Sequence, residues 1–388
     1  MIARAPRVRV LGSRHSFSDI ADSAQLVTLE GLPAGVAVDH AAGTVSVNAG
    51  LRYGELAEAL RGEGVAIHNL ASLPHISVGG AVATATHGSG DGNGNLATPV
   101  AALEIVTADG ELLSASRGDD DFEGLVVGLG AVGAVTRITL DVEPAFDVRQ
   151  RVFEGLQWEA LFEHFDEITA LGYSVSVFTR LAEATDQVWV KSRVTDAPEE
   201  VRPDLFGAVP ATVERHPILG LDPVNATQQL GVPGAWADRL PHFRTGFTPS
   251  NGDEIQSEYI VARRHAVAAI EAVRALGETI RPVLQVCEIR AIAADRLWMS
   301  PQYEQASIAL HFTWLPDEAA VHRALVDIEA ALAPLHARPH WGKVFLADAA
   351  AIGRLYERLP DFRALLERLD PHGTFRNAWL ERHVLGGD

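Results

Sequence analysis

Lysine and cysteine are scarce in this sequence of 388 residues. Cys287 is the single cysteine, which excludes a disulfide framework and a thiolate metal cluster and fits a reducing cytoplasm. Lys191 and Lys343 are the only lysines, because arginine supplies every other cationic side chain of this kind. Lys191, within QVWVKSR, is predicted to be a solvated strand residue. Lys343 follows a glycine in an aromatic setting and needs a different explanation.

Long apolar runs and excess positive charge are missing as well. No run approaches the roughly 20 residues of a membrane span, and the opening MIARAPRVRVLG has no apolar signal-peptide region. We therefore expect a cytoplasmic protein without membrane contact. The formal charge of −19 argues against nucleic acid as a partner, because a phosphate backbone would be repelled. The length and the apolar content of 47% predict a soluble globular protein of two domains.

Several familiar catalytic and nucleotide-binding motifs are absent. There is no Gly-Lys-Ser/Thr of a nucleoside triphosphate loop, and no G-x-G-x-x-G opens a helix after a strand. The G-x-S-x-G elbow of serine hydrolases is also missing. His68, His75 and His87 lie close in sequence but lack helical metal-binding spacing and an acidic neighbour, so no metal site is predicted.

The most unusual segment is 70–95, LASLPHISVGGAVATATHGSGDGNGN, in which glycine recurs among small residues. Such tracts are often flexible linkers. Here, however, Ile76, Val78 and Val82 interrupt the run, and nothing repeats as it does in a linker. Small residues let the backbone approach a ligand and point its N–H groups at it. We therefore favour a backbone cradle for a phosphate-bearing cofactor.

Periodicity and turn signals change character at Glu143-Pro144. Before this point they predict one helix, 53–61, and strands at 8–11, 25–29, within 35–47, and at 100–107, 111–115 and 134–142. After it they predict helices at 158–171, 263–279, 317–336 and 349–369, and strands at 174–179, 187–193, 283–292 and 308–315. Residues 196–251, rich in proline and glycine, are predicted to form an ordered irregular excursion. Helices and strands without strict βαβ alternation predict an α+β fold.

Three otherwise apolar segments carry polar side chains on one face. Strand alternation places Glu288 with Arg290 in QVCEIRA and His311 with Thr313 in ALHFTWL, while Lys343 lies in RPHWGKVF. A single buried ion pair such as Glu288–Arg290 is usually structural. Three such segments instead favour one shared pocket. Its donors and acceptors suit a small, heavily hydroxylated, uncharged ligand, because each buried hydroxyl needs hydrogen-bond partners.

Six motifs carry a family resemblance. LGSRHSF at 11–17, ASLPHISVGGAVATATHGSG at 71–90, LGAVGAVT at 129–136 and HWGK at 340–343 resemble the vanillyl-alcohol-oxidase flavoprotein superfamily, and within it the aldonolactone-oxidase branch. CEIR at 287–290 and HFTW at 311–314 are similar to the alditol (xylitol) oxidases of that branch. The resemblance implies a two-domain fold with a split PCMH-type FAD-binding domain and a central cap domain, which is built on an antiparallel sheet flanked by helices. The implied segments are 1–142 (FAD), 143–342 (cap) and 343–388 (return to the FAD domain).

The same resemblance implies FAD as the cofactor, linked covalently through His15. A covalent link generally raises the electron affinity of a flavin and prevents its loss. The residues implied around the cofactor are Gly12, Ser13, Arg14, His15, Ser16, Ser72, Ser77, Gly80, Thr84, Ala85, Thr86, His87 and Val135.

For the substrate, the resemblance implies a pocket of Ser72, Glu288, Arg290, His311, Thr313 and Lys343. A terminal primary alcohol would become an aldehyde as its carbon gives a hydride to the flavin, and dioxygen would then become hydrogen peroxide. His311 and Lys343 are the candidates for receiving or stabilising the hydroxyl proton. Arg290 would stabilise negative charge or hold a hydroxyl, and Glu288 would accept hydrogen bonds from further hydroxyls. We expect a monomer whose partners are a polyol and dioxygen.

Two alternatives stay open at this point. A sugar-1,4-lactone oxidase or dehydrogenase of the same branch shares HWGK. Relatives also carry a further strand and helix before the His15 turn, so the second alternative is a flavin-poor remnant that folds or binds without catalysis. In addition, Arg14 replaces a glycine that stands beside the flavin histidine in some members.

Overall fold

The computed structural model describes residues 1–33, 35–195, 202–246 and 254–386. Its strands are β1 (Arg9–Leu11), β2 (Leu26–Thr28), β3 (Ala37–Asp39), β4 (Thr44–Asn48), β5 (Val65–Ala66), β6 (Val100–Val106), β7 (Leu112–Ser116), β8 (Ala134–Asp141), β9 (Glu143–Pro144), β10 (Asp147–Glu154), β11 (Ser174–Thr179), β12 (Gln187–Arg193), β13 (Val209–Pro210), β14 (Gly234–Ala235), β15 (Ile255–Ala262), β16 (Leu284–Ile292), β17 (Ser307–Trp314) and β18 (Arg338–Pro339).

The helices of the described ranges flank these strands. They are α1 (Tyr53–Glu63), α2 (Val78–Ala83), α3 (Phe122–Val126), α4 (Trp158–Glu163), α5 (Phe165–Thr169), α6 (Ala266–Ala275), α7 (Gly277–Ile280), α8 (Glu318–Leu332), α9 (Ala349–Leu355), α10 (Leu359–Leu369) and α11 (Ala378–Leu380). None of them combines the length and apolar character that crossing a membrane requires.

Two larger sheets organise the chain. The first has the strand order β3-β4-β8-β6-β7, with every neighbouring pair antiparallel. The second has the order β13-β10-β12-β11-β16-β17-β15-β18, with β14 beside β10, and is also antiparallel. The two-domain α+β architecture predicted from the sequence is confirmed, whereas the segment boundaries 1–142, 143–342 and 343–388 stay a prediction.

The second sheet is covered by amphipathic helices on one side. In α8 the buried residues Val321, Ala324, Leu325, Ile328 and Leu332 recur at helical spacing, and the Asp317 side chain accepts from Ala320 N at the helix start. Strand β17 is buried along its whole length, so it lies at the centre of the sheet. Its other face is therefore available to polar side chains that line a cavity.

The C-terminal segment returns to the start of the chain. Val8 N donates to Thr374 O, and the guanidinium of Arg9, 2% exposed, donates to the carbonyls of Phe375, Gly130 and Leu129. Burial lowers the pKa of Arg9 to about 10. These contacts fasten the turn that follows β1 to two distant segments.

Most of the predicted elements are confirmed with small boundary shifts. The helix 53–61 is α1, and the hairpin 100–107/111–115 is β6–β7. Within 35–47 the structure has two short strands, β3 and β4. The excursion 196–251 is irregular over 202–246 apart from two short strands and two 3-10 turns. Its ends, 196–201 and 247–251, lie outside the described residues.

Three predicted helices are wrong as single helices, and two long strands were missed. The predicted helix 158–171 breaks at His164, whose backbone leaves helical geometry. The predicted helix 263–279 begins as a 3-10 turn and divides at Leu276. The predicted helix 349–369 divides at Tyr356, after which Pro360 fits the first turn of α10 because that turn needs no N–H there. The missed strands are β10 and β15.

The glycine stretch is a packed junction between the two sheets, so the linker alternative is wrong. Gly90 N donates to Ala291 O at 2.8 Å, and Gly90 forms a parallel bridge with Ile292. With φ at +133°, Gly90 has a conformation that side chains rarely adopt, and a Cβ there would overlap Tyr173 O and the Asn93 amide. Backbone approach therefore requires glycine at this position.

Gly90→Ala should lower the free energy of unfolding by about 3 kcal/mol, because positive-φ strain and overpacking each cost about 1–3 kcal/mol. Denaturant unfolding followed by circular dichroism measures this change. Gly92→Ala is the matched control, since nothing lies within 4 Å of a Cβ built there. Equal stability of the two variants would contradict the close approach.

Candidate active site

One cavity of about 1060 Å³ runs between the first sheet's loops and the second sheet. On one side it is lined by the turn after β1 and by the glycine stretch, and on the other by side chains of β15, β16 and β17. The irregular segments 216–225 and 242–243, the HWGK turn and Phe178 of β11 also line it. The volume is at the upper end of small-molecule pockets, which are roughly 300–1,000 Å³, so it has room for a large cofactor beside a substrate.

The cavity's electrostatic centre is Glu258 in β15, which is 1% exposed. Its Oε1 accepts from Arg290 Nη2 at 2.6 Å, and its Oε2 accepts from Lys343 Nζ at 2.5 Å. Burial alone would raise the pKa of this carboxyl, but the charges of Arg290 and Lys343 hold that pKa well below its usual range. Glu258 is therefore a carboxylate that bridges two cations.

Lys343 is also bonded to His311. Its Nζ lies 2.6 Å from His311 Nδ1, and His311 Nε2 lies 3.2 Å from Thr313 Oγ1. Burial lowers the pKa of Lys343, although Glu258 opposes the shift, and burial together with the Lys343 charge lowers the pKa of His311 to about 4. His311 is thus a neutral imidazole, and Lys343 keeps a donor or a lone pair for a ligand.

Glu288 forms a second polar centre beside the first. Its Oε1 accepts from His242 Nε2 at 2.8 Å and lies 3.6 Å from Arg290 Nε. Burial would raise the pKa of Glu288, but Arg290 and His242 hold it below its usual range. Glu288 therefore faces the cavity as a carboxylate.

The prediction that Lys191 is solvated is wrong. The side chain is 1% exposed, and its Nζ donates to Leu240 O at 2.5 Å, to Pro241 O at 3.1 Å and to His242 Nδ1 at 3.2 Å. Burial lowers the pKa of Lys191 to about 7. The acceptors belong to a segment that has no periodicity, so the local pattern in β12 gave no sign of them.

The opposite wall carries features that fit a flavin cofactor. His15 Nδ1 is buried and has no hydrogen-bond partner among the described residues. Burial lowers the pKa of His15, although a hydrogen bond with the Ser13 backbone opposes the shift, and this favours a neutral imidazole. A Cβ at Gly12 or Gly80 would meet Ser77 Oγ at 2.6 or 2.9 Å. Ser77 N donates to Ser13 Oγ at 2.9 Å. This backbone is close-packed, and it can approach a ligand closely.

The structure brings most of the predicted site residues to one cavity. Those that line it are Gly12, Ser13, Arg14, His15, Ser16, Ser72, Ser77, Gly80, Thr84, Thr86, His87, Glu288, Arg290, His311, Thr313 and Lys343. Two do not line it. Ala85 is fully buried at a φ of +51°, and Val135 lies in β8 opposite Ile105.

Sequence reasoning missed Glu258, His242 and His340. Glu258 lies on the same strand face as Gln256 in IQSEYIVA. The pattern of one acidic residue in an otherwise apolar strand could have identified it. His340 opens the HWGK turn, and its Nδ1 accepts from Gly342 N. His242 has no sequence signal, because its contacts lie in distant strands.

Ligand atoms of His87, Glu258 and His340 lie within 4.8 Å of one another, which is close enough to hold a metal ion. Both Glu258 oxygens, however, already accept from cations. A divalent ion would also face the charges of Arg290 and Lys343. The group is therefore better explained as part of the ion-pair centre.

Known proteins resemble this chain at the level of sequence and fold. The model of the D-arabinono-1,4-lactone oxidase family matches residues 251–383, and that of the FAD binding domain matches residues 3–116. Among solved structures, a cholesterol oxidase from B. sterolicum has a TM-score of 0.76 at 14% identity over 97% of this chain and 89% of that one. This likeness bears on the fold alone.

Two curated relatives carry the comparison further. An L-gulono-1,4-lactone dehydrogenase from Mycobacterium tuberculosis (strain ATCC 25618 / H37Rv) is 29% identical over 99% of this chain and 91% of its own length. An alditol oxidase from Streptomyces sp. (strain IKD472 / FERM P-14339) is 49% identical over 96% of this chain and 89% of its own length. The predicted oxidoreductase with an FAD cofactor is confirmed. The chain belongs to the alditol oxidases, within the aldonolactone-oxidase branch of the vanillyl-alcohol-oxidase flavoproteins.

Proposed function

We propose that this protein oxidises the terminal primary alcohol of an alditol, such as xylitol or sorbitol, to the aldose and reduces dioxygen to hydrogen peroxide. The observation that carries the proposal is the convergence of Glu288, Arg290, His311 and Lys343 on one cavity opposite His15. Three cavity segments supply donors and acceptors for several hydroxyls at once. The alditol oxidase relative at 49% identity supports this substrate class.

The cofactor side of the cavity is assigned to FAD. When bound, FAD supplies the acceptor for the hydride that leaves the alcohol carbon. The neutral imidazole of His15 supports a covalent bond at this residue, because bond formation needs a ring nitrogen with a free lone pair. The turn 12–16 and the lining residues between Ser77 and His87 would hold the rest of the cofactor. In this proposal, segments 1–142 and 343–388 form the FAD domain and 143–342 forms the cap.

Lys343 and His311 together receive the proton of the reacting hydroxyl. In the fraction with a neutral amine, Lys343 Nζ accepts that proton, and its lowered pKa enlarges this fraction. His311 Nδ1, 2.6 Å away, holds Nζ in place and can share the proton. Arg290 stays protonated through its pairing with Glu258 and stabilises negative charge on the reacting oxygen.

The remaining residues bind the rest of the substrate. Glu288 accepts hydrogen bonds from hydroxyls beyond the reacting carbon, while Thr313 and Ser72 bind the hydroxyls that face them. Glu258 and Glu288 each lie next to a cation. A substrate without charge therefore leaves no carboxylate unpaired when it displaces water from the cavity.

A lactone activity is the second candidate, since the D-arabinono-1,4-lactone oxidase model matches the part of the chain that contains β15 to β17 and HWGK. Dehydrogenase behaviour, with another electron acceptor in place of dioxygen, is its variant. A cytoplasmic location and a monomeric state remain our proposals, and size-exclusion chromatography tests the second.

Xylitol and sorbitol should both be substrates, because the cavity supplies acceptors for several hydroxyls. Each should yield hydrogen peroxide in amounts equal to the aldose formed, because the two electrons from one alcohol reduce one dioxygen. Peroxide assays on the purified protein, run beside L-gulono-1,4-lactone and beside an artificial electron acceptor, measure this outcome. Turnover of the lactone alone would contradict the proposal. A folded protein that carries little flavin and is inert on every substrate would favour the remnant alternative.

His15→Ala should leave the flavin bound without a covalent bond, because His15 is the single covalent attachment site that we propose. After acid denaturation the yellow colour should stay in the pellet of the unmodified protein and move to the supernatant of the variant. His75→Ala is the control, because His75 lies nearby but bonds Thr245 O outside the cavity wall. Colour retained in the His15→Ala pellet would indicate another attachment site.

Lys343→Met should lower kcat by about 10²–10⁴-fold while the protein stays yellow, because the proton acceptor is lost but the FAD wall is intact. Lys343→Arg separates charge from proton transfer, since arginine can pair with Glu258 but cannot release its proton. We expect the arginine variant to be as slow as the methionine variant in stopped-flow flavin reduction. Near-normal reduction by Lys343→Arg would make Lys343 a fixed charge only.

A further inference from the structure

Both lysines of the chain donate to a histidine Nδ1, and each histidine's Nε2 faces a residue of the cavity wall. Lys343 contacts His311, whose Nε2 faces Thr313. Lys191 contacts His242, whose Nε2 faces Glu288. Lys343 lines the cavity, but Lys191 does not. Lys191 can therefore influence a substrate only through His242 and Glu288.

The Lys191 ammonium group is fully paired without touching the cavity. An ammonium group has three N–H donors, and Nζ has three acceptors, namely Leu240 O, Pro241 O and His242 Nδ1. A buried lysine needs such pairing, since an unpaired charge in the interior is costly. This arrangement fixes the position of Nζ beside the His242 ring.

The direction of both His242 hydrogen bonds follows from the chemistry of its partners. The Glu288 carboxylate can only accept, so Nε2 of the neutral ring carries the hydrogen, and Nδ1 keeps the lone pair that accepts from Lys191 Nζ. Burial and the Lys191 charge lower the pKa of His242 to about 4, which keeps the ring neutral. The rings of Phe178 and Trp189 pack edge-on against it at 5.3 and 5.4 Å and hinder rotation.

The fixed ring leaves Glu288 with one oxygen for a ligand. Oε1 is occupied by His242, whereas Oε2 accepts no hydrogen bond within the described ranges and Glu288 lines the cavity. Any tilt of the carboxylate would move Oε2 relative to Arg290, whose guanidinium is held by Glu258. The distance between these two groups decides which hydroxyl positions they can bind together.

We propose that Lys191 and His242 are positioning residues that fix the Glu288 carboxylate, and so set the enzyme's preference for substrates with hydroxyls beyond the reacting end. This inference rests on the proposed alditol oxidation, in which Glu288 binds those hydroxyls. It gives the second lysine a role in specificity, separate from the proton transfer assigned to Lys343.

A purely structural role for Lys191 is the competing explanation, and Gln150 provides its control. Gln150 is the cross-strand partner of Lys191 and is fully buried. Its side chain donates to Thr227 O, and Thr227 Oγ1 donates to Pro241 O. Gln150 thus fastens the same irregular segment to the sheet, since Thr227 N also donates to His242 O. Within the described ranges, no hydrogen bond joins Gln150 to the His242 ring or to Glu288.

The kinetic experiment compares Lys191→Met with Gln150→Met on xylitol and on glycerol, which has fewer distal hydroxyls. For Lys191→Met we expect KM for xylitol to rise about tenfold with kcat nearly unchanged, because a misplaced Glu288 weakens binding in the ground state and transition state alike. KM for glycerol should rise less than threefold, because glycerol has fewer distal hydroxyls for Glu288 to bind. A change of that size corresponds to the loss of roughly one weak neutral hydrogen bond. Gln150→Met should leave the ratio of the two KM values unchanged. Equal changes in both variants would overturn the proposal.

A rescue variant and histidine spectra distinguish the positioning role from a general loss of stability. His242→Gln keeps an N–H for Glu288 and an oxygen for Lys191, so it should retain most of the xylitol preference that His242→Phe loses. In ¹⁵N-histidine spectra, signals absent in His242→Gln identify this ring. They should report the Nε2–H tautomer in the unmodified protein, and in Lys191→Met the Nδ1 signal should shift because its hydrogen bond from Lys191 is lost.

An Nδ1–H tautomer in the unmodified protein would overturn the proposal whatever the kinetics show. If the unmodified enzyme oxidises no polyol, the proposed function fails and the specificity role fails with it. The spectra then still decide whether Lys191 fixes His242, so the two failures are distinguishable.

Discussion

The rest of the site depends on the buried Glu258 carboxylate. An unpaired carboxylate in the interior is very costly, and removing one partner of a buried ion pair typically costs about 3–5 kcal/mol. Glu258 avoids this cost by accepting from Arg290 and Lys343, one on each oxygen. These partners come from β16 and from the turn after β18, so one carboxylate joins three chain segments. The two cations are consequently held in place before any substrate arrives, which is the condition for electrostatic catalysis.

Strand register explains how the polar groups meet. Glu258 and Glu288 are both direct cross-strand partners of His311, and Phe178 is the next partner of Glu288, so the four form one row across β15, β17, β16 and β11. Side chains in such a row share one face of the sheet. Helix α6 contacts β15 and β17, and the buried apolar residues of these strands alternate with the polar ones. Chemistry built on central strands is positioned more accurately than chemistry built on loops.

The parts that could be predicted from the sequence are those with a local signal. Alternation in CEIR and HFTW placed Glu288 with Arg290 and His311 with Thr313, and glycine enrichment revealed the close approach seen at Gly90.

The parts that could not be predicted depend on long-range contacts. Lys191 looked solvated because its acceptors, residues 240–242, lie in an irregular segment that no periodicity links to β12. Glu258 was missed together with its strand β15, although one acidic residue in this otherwise apolar segment was a usable signal. The helix division at Tyr356 follows from how Pro360 begins the next helix, and the apolar pattern continues across it.

The charge distribution at the site differs from that of the acidic chain as a whole. The chain carries a net −19, yet its buried network joins Lys191, Arg290 and Lys343 to only two carboxylates, Glu258 and Glu288. His242 and His311 stay neutral, because burial and the adjacent lysines lower their pKa values to about 4. When Lys191 and Lys343 both hold their protons, the network has one positive charge in excess. In the proposed oxidation, a hydroxyl donates to Glu288 and the reacting oxygen develops negative charge beside Arg290. In that proposal the network interacts more strongly with the transition state than with the ground state, which is what lowers a barrier.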